Sequence, residues 1–244
     1  MENVLNIENL KYKDVLKNIT FSLKEKTFNI LVSPNNNMVE TFIKCIRGLL
    51  KYEGIVNVNN RDIGYFLDKN IYFESSVFDS LYELLINLDY LDIDAKEVIY
   101  KFCKKLNATN ILYKKVNELK SYEKTLVTLI HSLIYKPKLL IINNDLEIFD
   151  DKKKNMILKL IKKEKIAVFF ITTNPNYFQY ADTLFVLNDG KISELENIEK
   201  EEKRLTKNNS KLPFNIEISN KFIAYELIDS YEDSLELLVD KIWK

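Results

Sequence analysis

The sequence predicts an α/β protein built on a mostly parallel sheet flanked by helices. Three observations predict it. Short apolar runs (Phe28-Asn29-Ile30-Leu31-Val32, Leu139-Leu140-Ile141-Ile142 and Ile166 to Ile171) have the length and character of strands buried on both faces. Stretches of helical spacing separate them, the alternation a parallel sheet requires. Hydrophobic residues are 46% of the 244, enough to cover such a sheet, while 30% are charged, which suits a solvated surface.

The elements follow in order. Val4, Leu5 and Ile7, then Leu16, Ile19, Phe21 and Leu23, read as two strands ahead of the buried-type strand Phe28 to Val32. The polar turn Ser33-Pro34-Asn35-Asn36-Asn37 leads into a helix over Met38 to Leu50, with Phe42, Ile43, Ile46, Leu49 and Leu50 as its apolar set. Short strands over 55 to 67 end in Ile63-Gly64-Tyr65-Phe66-Leu67. Residues 78 to 112 are helical, with Asp94 capping a helix from Ala95 to Leu106. Residues 121 to 135 form another helix, which Pro137 ends before the strand at Leu139. A helix over Asp151 to Lys163, a strand over Ile166 to Thr172 and a strand over Thr183 to Leu187 follow, the last turning back through Asn188-Asp189-Gly190. Residues 194 to 211 read as a charged linker with an exposed helix, and 212 to 244 as a small helical extension. Lys152-Lys153-Lys154 and Lys162-Lys163 read as solvated helix faces, and Trp243 as a packing anchor.

Composition narrows the function. Lys plus Arg and Asp plus Glu are both 36, so there is no net charge, which argues against a chain made to hold nucleic acid by counterion release. The length suits one large domain, or one domain with an appendage. Two cysteines, Cys45 and Cys103, without CxxC spacing exclude a disulfide framework and are expected as buried thiols; the single His131 excludes a histidine metal cluster and is expected to be structural. Both fit a reducing cytosol. The start, MENVLNIENL, lacks the basic and apolar regions of a signal peptide, and no run is long enough to cross a bilayer, so membrane association is expected to go through a partner. Four glycines in the whole chain leave few for a phosphate-cradling loop.

Four stretches then resemble one family, the ATP-binding subunits of ABC transporters. Leu31-Val32-Ser33-Pro34-Asn35 before a helix stands where that family has a φφGPNGSGKST phosphate loop. Leu119-Lys120-Ser121-Tyr122-Glu123 stands at its LSGGQ signature, and Leu139 to Ile142 at its Walker B strand, with Phe149-Asp150 at the D-loop. Ala181 to Ile192 is similar to its closing strand pair. The tail, Leu212 to Ile218 and Leu237 to Trp243, resembles the extension of energy-coupling factor (cobalt- and vitamin-type) ATPases. The resemblance implies a P-loop-NTPase-like ABC ATPase fold over 1–193, with N-terminal antiparallel strands and a helical subdomain near 74–120. A linker over 194–211 and an extension over 212–244 complete it. It also implies a dimer under a membrane coupling subunit, at the inner face of the cell membrane, with each ATP site shared between one subunit's phosphate loop and the other's signature.

The family's chemistry does not carry over. The phosphate loop needs glycines, a Lys on the phosphates and a Ser/Thr hydroxyl on Mg²⁺. Here the turn is Asn35-Asn36-Asn37, the Lys position holds Val39, the Mg²⁺-ligand position holds Glu40, and Thr41 survives. Asn37 and Glu40 have capping-box spacing, which would set a carboxylate at the helix mouth. There it would repel a triphosphate by about 4 kcal/mol per charge pair at ~4 Å. Asn143 and Asn144 stand at the Walker B Asp and at the general-base Glu, and an amide cannot take a proton from water. A register slid by one residue would put Asp145 at the base but break the D-loop spacing. The switch His falls at Thr173 and the Q-loop Gln at Asp68; the signature has lost its paired glycines and has Lys120 at the serine. There Lys120 could offer a charge to a partner's γ-phosphate. Tyr12 is open to two readings, an adenine-stacking ring or strand packing. The expectation is a pseudo-ATPase that requires no cofactor, binds ATP and Mg²⁺ weakly or not at all, and pairs with an intact ATPase subunit. Two rivals stay open: a hydrolysing subunit with a diverged site, and a scaffold or regulator outside transport.

Overall fold

The structure, a computed structural model, describes residues 2–67, 75–144, 146–196, 198–208, 210–231 and 235–242. The strands β1 (Asn3–Tyr12), β2 (Leu16–Lys24) and β3 (Phe28–Val32) lead into α1 (Asn36–Ile46). Next come β4 (Glu53–Asn57), β5 (Ile63–Leu67), α2 (Val77–Asn87), α3 (Asp92–Lys105) and α4 (Ser121–Leu133). Then follow β6 (Leu139–Asn143), α5 (Asp151–Lys163), β7 (Ala167–Ile171), β8 (Thr183–Asn188) and β9 (Lys191–Leu195). Three helices close the chain: α6 (Glu202–Lys207), α7 (Phe214–Ala224) and α8 (Leu235–Ile242). A three-stranded sheet has the order β2-β1-β4. The chain divides into two compact units.

The first unit comprises residues 1–6, 22–27 and 57–170. Its ladder β5-β6-β7 is parallel, with Ile63 opposite Leu139 and Leu139 opposite Ala167. Leu140, Ile141, Ile142, Val168 and Phe169 are fully buried, as their unbroken apolar runs predict. Gly64 is required because any Cβ there would collide with the Ser132 carbonyl of α4. The helical stretch 78–112 is two helices and a 3-10 turn (Thr109–Ile111), broken where Asp89 takes a φ of 65°. Asp94 does not cap. The cap position is Leu91, without a side-chain bond, so α3 starts before Asp94. The Asp92 carboxylate accepts from Tyr82 Oη at 2.6 Å and from Lys96 Nζ at 3.0 Å.

The second unit comprises residues 7–21, 28–56 and 171–244. In it β3 pairs with β8 in parallel, and β8 turns back on β9 through Asp189 and Gly190, whose φ values of 50° and 80° suit a two-residue hairpin. Phe42 of α1 is fully buried, 6.0 Å from Phe21, which in turn lies 5.4 Å from Phe185. The helix stops at Ile46, short of the predicted Leu50. Gly48 at φ 67° lets the Leu49 N–H return to the Lys44 carbonyl, and Leu49 is left 59% exposed. The stretch 194–211 is less exposed than its charge predicts. It holds the end of β9 and α6, and Leu205, Asn208 and Ser210 are buried because the segment folds back on its own unit. Trp243 lies outside the described residues. Among the described residues no helix is long and apolar enough to cross a membrane.

Candidate functional site

The residues expected at the phosphate loop lie in the second unit. Ser33, Pro34 and Asn35 form the turn after β3, with the Asn35 N–H 3.4 Å from Ser33 Oγ. The cap of α1 is Asn35, not Asn37: Asn35 Oδ1 accepts the Met38 N–H at 3.0 Å, and the Val39 N–H returns to the Asn35 carbonyl. Three consecutive asparagines are equal caps by propensity, and the earliest wins because starting at Asn36 adds two residues of helical hydrogen bonding. The capping pair with Glu40 therefore does not form. Glu40 is the fifth helical residue, and its half-exposed carboxylate turns along the helix to Lys44 Nζ at 3.3 Å. No acidic residue occupies the first turn of α1, so the expected repulsion at the helix mouth loses its geometry. Asn36 and Asn37 are exposed, whereas Val39 (3% exposed) and Thr41 (7%) face the core. Val39, expected at the lysine position, is therefore a packed methyl-bearing side chain.

Two further positions lie in the same unit. Tyr12 ends β1 half-buried, with Lys13 Nζ 5.3 Å from its ring centroid, so a lysine already stands over the ring. Thr173, expected at the switch position, sits two residues beyond β7, and its carbonyl accepts Ser210 Oγ at 2.7 Å. The tail thus braces this loop, a contact no local sequence signal announced.

The residues expected at the Walker B strand lie in the first unit. Asn143 closes β6, half-buried, opposite Leu67 of β5. Asn144 follows, and its Nδ2 donates to the Leu67 carbonyl at 3.0 Å. This donor ties the ends of two neighbouring strands; an ionised carboxylate there would face a carbonyl with nothing to donate. Asp150 is the cap of α5, accepting the Lys153 N–H at 2.7 Å. Lys153 is not solvated as expected; its Nζ bonds the Leu106 carbonyl, and burial lowers its affinity for a proton. Lys154 is also engaged, with Glu147 and Asp151. Asp68 and the alternative base Asp145 lie outside the described residues.

Only the glutamate half of a capping box forms, and it forms at α4, the segment expected at the signature, because a lysine cap has no acceptor to offer. Lys120 is the cap position of α4, Ser121 opens the helix, and Tyr122 is exposed. Glu123, 4% exposed, accepts the Lys120 N–H at 2.8 Å and lies 3.3 Å from Lys114 Nζ. The backbone N–H and the Lys114 ammonium hold its carboxyl below the usual glutamate range. Neither this backbone bond nor the role of Lys114 was read from the sequence, because lysine is not a side-chain cap. Lower on α4, buried His131 sets Nε2 3.0 Å from Ser80 Oγ, and burial pulls its pKa to about 4. Cys45 and Cys103 are buried thiols, pushed up to about 11 and about 12. Among the described residues no group of three or more His, Cys, Asp or Glu is placed to hold a metal.

No protein-family model matches the chain. It is 24% identical over 220 residues to the energy-coupling factor transporter ATP-binding protein EcfA of Pediococcus pentosaceus, covering 80% of this chain and 79% of that one. It is 30% identical over 192 residues to the molybdate/tungstate import ATP-binding protein WtpC of Methanocaldococcus jannaschii, covering 69% of this chain and 62% of that one. Among solved structures, the ATP-binding subunit of an ABC transporter superposes with a TM-score of 0.74 at 16% identity, over 88% of this chain and 98% of the other. The chain has the fold of an ABC ATPase, and it is a sequence relative of the ATP-binding subunits of ABC transporters.

Proposed function

We propose that this chain is a subunit of an energy-coupling-factor type ABC transporter that does not itself hydrolyse ATP. It pairs with an intact ATPase subunit and is coupled to a membrane subunit at the inner face of the membrane. The observation that carries the reading is the Asn144 amide at the general-base position, donating to the Leu67 carbonyl. An amide cannot accept a proton from water, and this one is already engaged in holding two strand ends together. Buried Val39 and neutral Asn143 support the same reading, because neither supplies charge to a phosphate or a metal. The likeness to EcfA supports the energy-coupling type. The test is turnover by the purified chain, alone and with an intact ATPase subunit. The chain alone is expected to be inactive; turnover from it alone, abolished by Asn144→Ala, would overturn the proposal.

A second reading is favoured by the first turn of α1, where no acid opposes a phosphate. In it the chain still binds and hydrolyses ATP in a diverged site. Calorimetry separates the two: micromolar binding of Mg-ATP supports the second, and no binding at millimolar concentration supports the first.

A further inference from the structure

The chain is neutral overall, but its cations are not evenly spread. On α5, Lys152, Lys159 and Lys163 recur at spacings of seven and four, which sets them on one stripe. Ile157, Leu160 and Ile161 of the same helix are buried, so the lysine stripe faces water. Lys162 and Lys165 extend it at the carboxyl end, both exposed. Among the described residues no carboxylate pairs with any of these five.

Two more ammonium groups reach the same end from other elements. Glu164 is shared by Lys105 of α3 at 2.8 Å and Lys136, in the turn before β6, at 2.9 Å. Those lysines hold its carboxyl ionised, below the usual range. The nearby acids at the helix start, Glu147 and Asp151, are engaged by Lys154. This face of the first unit therefore sets seven ammonium groups against one shared carboxylate. Complementing the helix dipole accounts for cations in the last turn, Lys162 and Lys163, but not for Lys152 and Lys159 farther back.

We propose that this lysine face binds an anionic membrane surface through its phospholipid headgroups. The chemistry favours lipid over other polyanions. Among the described residues the face has no arginine fork and no exposed aromatic ring, the groups that grip single phosphates and stack on bases. It also has no exposed large apolar residue on α5 to anchor a protein partner. What it offers is a delocalised positive field, which suits many mobile headgroups and decays within a Debye length. The inference does not depend on the nucleotide reading.

The experiment is sedimentation of the full chain with vesicles of phosphatidylcholine alone or mixed with phosphatidylglycerol. Binding is expected only to the mixed vesicles, weakening steeply with salt, with each Lys→Gln change on the stripe costing about fivefold in partition. The variant K152Q/K159Q/K162Q/K163Q/K165Q should lose binding. A control with the same loss of charge, at exposed Lys11, Lys17, Lys24, Lys26 and Lys191, should bind like the wild type. Equal binding to both vesicle types, or equal loss in the control, would overturn the proposal. So would tighter binding to duplex RNA that strips the chain from vesicles.

Discussion

Replacing Asn144 by glutamate restores the family's general-base residue in name, and the structure predicts that it damages the fold. The amide donates to the Leu67 carbonyl at 3.0 Å from a half-buried position. Glutamate removes the donor and brings a carboxylate toward a carbonyl oxygen, so the acceptor is left unsatisfied at a cost of about 1–3 kcal/mol. At this chain length, ~2 kcal/mol corresponds to a fall of roughly 4–8 °C in melting temperature. The effect carries its own pH signature. Only a protonated carboxyl can donate to Leu67, so the folded state raises the pKa of the introduced group above its unfolded value. The variant is then closest to the wild type below the unfolded pKa, and loses ground as pH rises through the folded one. Urea denaturation of Asn144→Glu and Asn144→Leu from pH 4 to 8 tests this: the glutamate variant should converge on the wild type in acid, and the leucine variant should not. A glutamate variant as stable as the wild type at pH 7, and turning over ATP, would refute the reasoning for both the tether and the pseudo-enzyme.

Other predictions follow from single contacts. His131 is neutral in the fold with a pKa of about 4 against 6.5 for a free side chain, so the unfolded chain takes up the proton first as pH falls. Stability should drop by about 3 kcal/mol between those two values, and His131→Leu should flatten that part of a urea-midpoint series. Asn35→Ala should cost about 1 kcal/mol in a thermal melt through loss of the α1 cap, while Asn37→Ala should be nearly neutral; the reverse would restore the capping pair with Glu40. Cys45 and Cys103 should resist alkylation at neutral pH until the chain is unfolded, because their buried thiols ionise only near 11 and 12. Lys26 holds a φ of 63°, so Lys26→Gly should raise stability by about 1 kcal/mol.

Much of the fold was legible because its signals are local. The apolar runs at 28–32 (interrupted by Asn29), 139–142 and 166–171 mark strands buried on both faces, and Asn188-Asp189-Gly190 marks the hairpin. Helix ends were harder, since Gly48 ended α1 against an apolar pattern that continued to Leu50. In the site, the lost residue types could be read directly, but their geometry could not. The capping pair expected at Asn37-Glu40 does not form, and at α4 Glu123 bonds back to the Lys120 N–H with no side-chain cap from the lysine. At α1 an earlier asparagine takes the cap, whereas at α4 Glu123 is buried beside Lys114. The tether from Asn144 to Leu67 spans 77 residues, and no periodicity reports a contact at that distance.

The buried glutamate at the start of α4 makes that helix self-sufficient. Its counter-anion and the lysine that balances it are both encoded in this chain. The segment should therefore melt at the same temperature in dilute and concentrated samples, and with or without phosphate in the buffer, because no outside molecule is needed to complete it.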